Sequence, residues 1–173
     1  MIISPINWQG ELTTLCEKLE KSFGQNKDDF CDFEFEKSLY YMTISLRKLH
    51  DTLRPNDFDF YGWQFKGNYY SPRETTPSAP WRFMVDVDFD MTKPRQGNAS
   101  FRDIIDMIMH SKYVDCSYSS KAIIVGSDRL DSDKSNYVFE FALDQFLRCC
   151  EKISSTQFLS VPPHRNSRKG VKR

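Results

Sequence analysis

The segment from 100 to 111 carries polar residues of the types, and at the spacing, that acid–base chemistry needs. On a helix Arg102 and Asp106 lie one turn apart, Asp106 and His110 lie one turn apart, and Asp103 lies two turns before His110. A carboxylate one turn from an imidazole can hold the ring in one tautomer and favour its protonation, as a general acid or base requires. The same spacing also suits a structural ladder of charges near a helix C-terminus, so both interpretations stay open.

Three aspartates in a period-two pattern are a second candidate for chemistry. Asp86, Asp88 and Asp90 would share one face of a strand at intervals of about 7 Å, and adjacent pairs could straddle a divalent cation. No histidine, glutamate or glycine loop accompanies them, which favours the solvated face of a half-buried strand instead. The sequence also lacks a phosphate-binding glycine loop, a His-Glu-x-x-His motif and a dinucleotide fingerprint. We therefore predict no metal and no cofactor.

Hydrophobic periodicity predicts the elements that position these residues. Apolar residues recur at steps of three and four in four segments, which indicates helices, and alternate in others, which indicates strands. Ser100 stands where it can cap the third helix, with Asp103 in its first turn. The fold class that follows is α+β, a core of antiparallel helices with an inserted antiparallel sheet or meander. The predicted helices span 11–23, 35–53, 100–111 and 144–154, and the predicted strands span 81–91, 113–118, 121–125 and 137–141.

Residues 56–98 differ in composition from the rest of the chain. Prolines punctuate an aromatic segment with no helical period, which predicts a long loop or insertion around the strand at 81–91. Its aromatic side chains, interleaved with Lys66, Arg73 and Arg82, could stack on bases or on a protein partner. Exposed aromatic side chains at this density are a liability, so most are expected to pack on the domain or at a homodimer or partner interface.

Charge is balanced over the 173 residues, with 24 basic and 24 acidic side chains, but it is unevenly distributed. The predicted single domain, 1–154, is acidic, whereas the tail, 155–173, carries five cations and no acid. This predicts a disordered segment that can contact nucleic-acid phosphates from outside the fold. Its cations are Arg165, Arg168, Lys169, Lys172 and Arg173.

The same composition bounds the protein class and compartment. With 39% hydrophobic and 14% aromatic residues the chain can bury a core, so disorder of the whole chain is excluded. No run approaches the ~20 apolar residues of a membrane span, and the N-terminus lacks the build of a secretory signal. The five cysteines are odd in number and scattered, which favours reduced, mostly buried thiols over a disulfide framework. We predict a cytoplasmic protein with no membrane partner.

Four stretches taken together resemble uncharacterised bacterial proteins related to the HEPN helical domains. They are SLYYMTISLRKLHDTL, SFRDIIDMIMHS, GSDR and LDQFLRCCEKI, in that order between about 35 and 155. Active HEPN domains pair an arginine with a histidine, usually in a dimer that cuts RNA without metal. The resemblance implies that role for His110 and Arg102, although seven residues intervene here, more than in the family pattern. A second candidate pair, Arg47 and His50, is spaced too closely.

Two functions therefore stay open, and with them the question of whether the chain is an enzyme. The first is a HEPN-like bacterial protein in a nucleic-acid or defence context, with RNA as its partner and metal-independent ribonuclease activity through His110, Asp106 and Arg102. The second is a non-enzymatic interaction module in which Asp106 and His110 form a structural pair. An enzyme should present His110 with a cation in an exposed cleft, whereas a binding module should bury it in a closed pair.

Overall fold

The described part of the molecule combines helices with an antiparallel sheet. The computed structural model describes residues 5–24, 29–52, 62–73, 88–127 and 137–156. Helices α1 to α4 span Pro5–Gly24, Asp29–Thr52, Phe101–Met109 and Leu143–Ser154. Strands β1 to β5 span Gln64–Tyr70, Arg95–Ser100, Ser111–Ser117, Ala122–Ser127 and Val138–Ala142.

All four predicted helices are present, and the apolar stripes that predicted them are buried. In α1 the stripe is Leu12, Leu15 and Leu19, each at most 3% exposed. Helices α1 and α2 both begin six residues before the predicted start. The periodic stripe does not extend into these first turns, although Pro5 suits the first turn of a helix because its missing N–H would be unpaired there anyway.

The strands form one sheet in the order β2-β1-β5-β4-β3, with every neighbouring pair antiparallel. The predicted meander is confirmed as β3, β4 and β5, to within two residues at each strand end. The assignment of 56–98 to a loop outside 81–91 is wrong, because β1 and most of β2 lie there. Their sequences, QFKGNYY and RQGNAS, centre on glycines and polar residues and so lack the apolar alternation that identifies a strand.

The predicted strand at 81–91 is only partly within the described residues. Residues 81–87 lie outside them. Residues 88–90 run antiparallel to 71–73, with Arg73 N donating to Asp88 O at 2.9 Å and Asp90 N donating to Ser71 O at 3.0 Å. A regular strand begins only at Arg95, after a turn at 91–93.

One hydrophobic core joins the four helices to one face of the sheet. Helices α3 and α4 lie against the strands, while α1 packs on α2 and α4, and α2 packs on α3. The α+β class is thus confirmed, but a helical bundle is not an apt description, because the helices cover one face of a five-stranded sheet. The strand residues in this core are Phe65, Ala99, Ile123, Val125, Phe139 and Phe141.

The opposite face of the sheet, here called the outer face, is divided into an apolar and a polar part. Tyr70, Ile124 and Val138 are buried there beneath Phe89, whose ring meets Tyr113 edge-on at a centroid distance of 5.0 Å. Aromatic residues at the ends of the predicted insertion therefore pack on the domain, as expected for the majority. The polar part, on β1 and β2, is open.

Side-chain hydrogen bonds cap the start of α3 and the end of α4. Ser100 Oγ accepts from Asp103 N at 3.2 Å and Asp103 Oδ2 accepts from Ser100 N at 3.1 Å, a reciprocal capping box that confirms the predicted cap of α3. At the other end of the fold, Gln9 Nε2 of α1 donates to Ser154 O at 2.9 Å and Thr156 O at 2.8 Å. This amide satisfies carbonyls that the last turn of α4 leaves unpaired.

The thiols behave as predicted where they are described. Cys16, Cys149 and Cys150 are buried, Cys116 is partly exposed, and these four are free. Burial raises the pKa of Cys149, and burial followed by a hydrogen bond with Cys16 raises the pKa of Cys150. Burial and a raised pKa both disfavour the reactive thiolate form of Cys149 and Cys150.

Candidate functional site

Asp106 is the centre of an ion-pair cluster between α2 and α3. Arg47 Nη1 of α2 donates to Asp106 Oδ1 at 3.0 Å, and Arg102 Nε of α3 lies 3.6 Å from Asp106 Oδ2. The contact from Arg102 is the predicted one-turn pair on a single helix, whereas the contact from Arg47 joins two helices. Each carboxylate oxygen of Asp106 therefore faces a guanidinium.

His110 is not a member of this cluster. It ends α3 as the C-terminal cap, and its backbone N donates to Asp106 O at 3.1 Å. Its side chain is exposed and makes no hydrogen bond or ion pair within the described residues. The expected side-chain pair of Asp106 with His110 is therefore not formed, because two charged guanidinium donors outcompete an imidazole for one carboxylate.

Arg102 and His110 lie at opposite ends of the same helix. At a rise of 1.5 Å per residue, eight residues separate them by about 12 Å along the helix axis. Asp103, which spacing also placed over His110, is held at the start of α3 by the capping box with Ser100. The three predicted catalytic residues thus do not converge within one chain.

A second histidine lies beside the cluster, on α2. His50 Nδ1 is 3.3 Å from Asp51 Oδ1, and Arg47 Nε is 3.5 Å from the same oxygen. The imidazole stacks on Phe101 at a centroid distance of 6.3 Å and an interplanar angle of 27°. Sequence reasoning considered Arg47 and His50 as a pair and missed Asp51, although its one-turn spacing from Arg47 was the available signal.

The charges of the cluster neutralise one another, and the arrangement does not favour proton transfer. Its two arginines face two aspartates, and Asp106, the shared acceptor, is 33% exposed while Arg47 is 45% exposed. Ion pairs at this exposure stabilise a fold by at most about 1 kcal/mol. The arrangement is able to fix α3 against α2. Among the described residues, the contact of Asp51 with His50 is the one ion pair between a carboxylate and an imidazole.

Two of the three aspartates, Asp88 and Asp90, lie within the described residues. Asp86 lies outside the described residues. A hydrogen bond from the Thr92 hydroxyl, then one from Lys93, lower the pKa of Asp90 to about 2. Asp88 has one carboxylate oxygen, Oδ2, that is buried without a hydrogen-bond partner. Among the described residues no group of three or more histidine, cysteine or acidic side chains could hold a metal ion.

A polar groove of about 470 Å³ opens on the outer face of β1 and β2. Lys66 and Asn68 of β1 face Asn98 and Gln96 of β2 across it, with the glycine pair Gly67 and Gly97 between them. Lys66 and both residues of β2 are exposed. We call this surface the β1–β2 groove; no pattern of charges or aromatic residues in the sequence indicated it.

Side-chain hydrogen bonds hold the sheet on one side of the groove. Gln145 of α4 bonds both backbone groups of Lys66, accepting from its N at 2.8 Å and donating to its O at 2.9 Å. Tyr70 donates to Glu140 Oε2 at 2.5 Å on the same outer face. Burial, followed by this contact with Glu140, raises the pKa of Tyr70 to about 12.

The basic tail residues Arg165, Arg168, Lys169, Lys172 and Arg173 lie outside the described residues. Comparisons with protein-family models, with characterised proteins and with solved structures found no match to this chain. Across the described helices, none combines the length and the apolar character needed to cross a bilayer.

Proposed function

We propose that this chain is a non-enzymatic interaction protein. The observation that carries the proposal is the engagement of Asp106 by Arg47 and Arg102, at 3.0 Å and 3.6 Å. A carboxylate so engaged joins two helices and is withdrawn from the imidazole that it would have to orient in acid–base catalysis. In this proposal Asp106 is structural through the arginines, not through His110 as the sequence suggested.

The surface of the described residues supports the same proposal. The β1–β2 groove is open and is lined by amide and ammonium groups that bind without chemistry of their own. The four cysteines that the structure describes are free and three of them are buried, which suits a reducing compartment and supports a cytoplasmic location.

Metal-independent RNA cleavage is the alternative, and the exposure of the His110 imidazole favours it. Because Arg102 is about 12 Å away along α3, this alternative needs another cation beside His110, which a second copy of the chain or the basic tail could supply. In this alternative the protein acts as a homodimer. The HEPN-like relationship and a role in bacterial defence belong to this alternative.

Assays of RNA cleavage and of thermal unfolding on His110→Ala distinguish the two functions, and two further variants serve as a comparison. His110→Ala is compared with the parent protein for cleavage of single-stranded RNA in the presence of a chelator, and for thermal unfolding. Asp106→Asn is the structural counterpart, and Asp144→Asn is its matched control, because within the described ranges Asp144 pairs with Arg148 on its own helix, at 2.8 Å, and not with another element.

We expect no RNA cleavage by the parent and a free energy of unfolding for His110→Ala within about 0.5 kcal/mol of the parent, since no contact of the side chain is lost. Asp106→Asn should lose about 0.5–1 kcal/mol and Asp144→Asn less, because only Asp106 links two helices. Chelator-resistant cleavage by the parent that His110→Ala abolishes would overturn the proposal in favour of the ribonuclease.

A further inference from the structure

We infer that the exposed face of α2 binds a second copy of this chain, so that the protein forms an antiparallel two-fold dimer with Tyr41 at its axis. This inference rests on the proposed interaction function and names the partner. Two observations carry it. Exposed apolar side chains are concentrated where α2 meets α3, and the charges of α2 are arranged symmetrically about Tyr41.

The exposed apolar side chains lie mainly on α2 and α3. Four large apolar residues of the described chain are exposed, and three of them are here: Phe33 at 57%, Tyr41 at 52% and Met109 at 37%. Tyr40 and Ile44 of α2 are half-buried. Apolar surface that is rimmed by polar residues is typical of protein–protein interfaces, in which Tyr, Phe and Met are enriched.

Two contacts place Met109 next to the apolar residues of α2. Arg47 of α2 is bonded to Asp106 of α3 at 3.0 Å, and the Tyr40 hydroxyl is hydrogen-bonded to the Ser111 hydroxyl just after α3. The two helices therefore run antiparallel, and Met109 lies beside the stretch of α2 between Tyr40 and Arg47. We call this surface the α2–α3 patch, and its members are Phe33, Tyr40, Tyr41, Ile44 and Met109.

The charges of α2 are placed symmetrically about Tyr41. Glu34 lies seven residues before Tyr41, and Lys48 lies seven residues after it. Seven residues are almost two helical turns, so the three side chains lie on one face of α2, with each charge about 10 Å from Tyr41 along the helix axis. Lys48 is exposed and Glu34 is partly exposed.

A second copy of α2, packed antiparallel about a two-fold axis at Tyr41, complements these charges. In a two-fold interface the same surface serves both copies, so Glu34 of each copy lies opposite Lys48 of the other. A parallel pairing would oppose Glu34 to Glu34 and Lys48 to Lys48, and like charges across an interface are unfavourable. Glu34 also contacts Lys37 of its own helix at 3.3 Å, but this exposed pair is weak and a carboxylate can accept from two ammonium groups.

The apolar residues of the α2–α3 patch supply the affinity of this dimer. The two Tyr41 rings meet at the axis, and Ile44 lies opposite the aliphatic stem of Lys37 of the second copy, since these two positions are nearly equidistant from the axis. Removing exposed rings from water is the main favourable contribution to such an interface. The charges then fix the antiparallel orientation more than they add affinity.

The test is sedimentation velocity of the full chain over an about hundredfold range of concentration, since dimerisation depends on concentration. Glu34→Lys and Lys48→Glu are measured alone and then mixed in equal amounts. Tyr41→Asp perturbs the centre of the patch. Its matched control is Ile6→Asp, because Ile6 is a large apolar residue on α1 that is 71% exposed. Circular dichroism checks that each variant keeps its fold.

We expect the parent to dimerise and each charge variant alone to dimerise about tenfold more weakly, because two symmetry-related attractions become repulsions. The mixture should form a heterodimer at least as tight as the parent dimer. In the mixture one variant carries two cations and the other two anions at the facing positions. Tyr41→Asp should sediment as a monomer, and Ile6→Asp should dimerise as the parent does.

Three outcomes would overturn the inference. A parent that sediments as a monomer at every concentration would leave the patch to a different protein. A dimer that Tyr41→Asp does not weaken would place the interface elsewhere, and a mixture no tighter than the single variants would refute the antiparallel pairing. A monomeric parent that cleaves no RNA would contradict this inference alone, whereas cleavage that His110→Ala abolishes would contradict the proposed function, whatever the mass of the parent.

Discussion

One added methyl group should have opposite effects on stability at two glycines. Gly67 lies in β1, where it is paired with Gly97 on one side and with Phe141 on the other. A Cβ atom at Gly67 would lie 2.1 Å from the carbonyl oxygen of Glu140 and 2.7 Å from the ring of Phe139. Gly10 is exposed on α1, and a Cβ atom there would meet nothing within 4 Å.

The magnitudes follow from these distances. Overpacking costs about 1–3 kcal/mol, and Gly67→Ala should reach the upper end, because its nearest obstacle is the backbone of a paired strand and not the end of a flexible side chain. For a chain of this size a loss of about 3 kcal/mol lowers the Tm by about 6–12 °C. Gly10→Ala should instead gain about 0.5–1 kcal/mol, as expected for an exposed position inside a helix.

The assay is urea and thermal unfolding of the full chain, followed by far-ultraviolet circular dichroism, with parent, Gly67→Ala and Gly10→Ala in the same buffer. An unchanged slope of free energy against urea for each variant shows that the surface exposed on unfolding is the same as in the parent. A Tm of Gly67→Ala equal to or above that of the parent would refute the close approach of β1 to β5. A loss of stability in Gly10→Ala would refute an open helix surface at that position.

Two other predictions concern contacts of single side chains. Ser100→Ala should lower the free energy of unfolding by about 1 kcal/mol through loss of the capping box, and an unchanged urea midpoint would argue against that cap. Tyr70 ionises near pH 10 when unfolded and near pH 12 when folded, so its contribution to stability is fully present below pH 10 and is lost as the pH rises towards 12. The stability difference between the parent and Tyr70→Phe should shrink over that interval, and a difference that stays constant would contradict the raised pKa.

The sequence predicted the elements whose apolar residues recur regularly and missed those whose residues do not. Helix α3 and strands β4 and β5 are apolar at most of their positions, so their bounds were predicted to within two residues. Strands β1 and β2 are held by pairing with partners on both sides of β1, not by a pattern of their own. When a strand is stabilised mainly by its neighbours, its own sequence need not show the apolar alternation from which strands are predicted.

The candidate site shows the same limit for side chains. Spacing along one helix predicted the contact of Arg102 with Asp106, which is present at 3.6 Å. It could not predict that Arg47, 59 residues earlier, would reach the same carboxylate from α2, because that contact depends on how two helices pack. The expected contact of Asp106 with His110 on its own helix is not formed. Spacing along one helix could not show this, because the partner of Asp106 depends on tertiary packing.

The pairing of β1 with β5 has a consequence for the order in which the protein assembles during synthesis. Tyr70 is paired with Val138, and the ring of Phe65 packs on Phe141 and on Phe146 of α4. A ribosome therefore releases α1, α2 and the hairpin of β1 and β2 well before the residues that cover their apolar surfaces. The nascent chain keeps this surface exposed until 138–154 have emerged, so the last step of folding depends on contacts of high sequence separation.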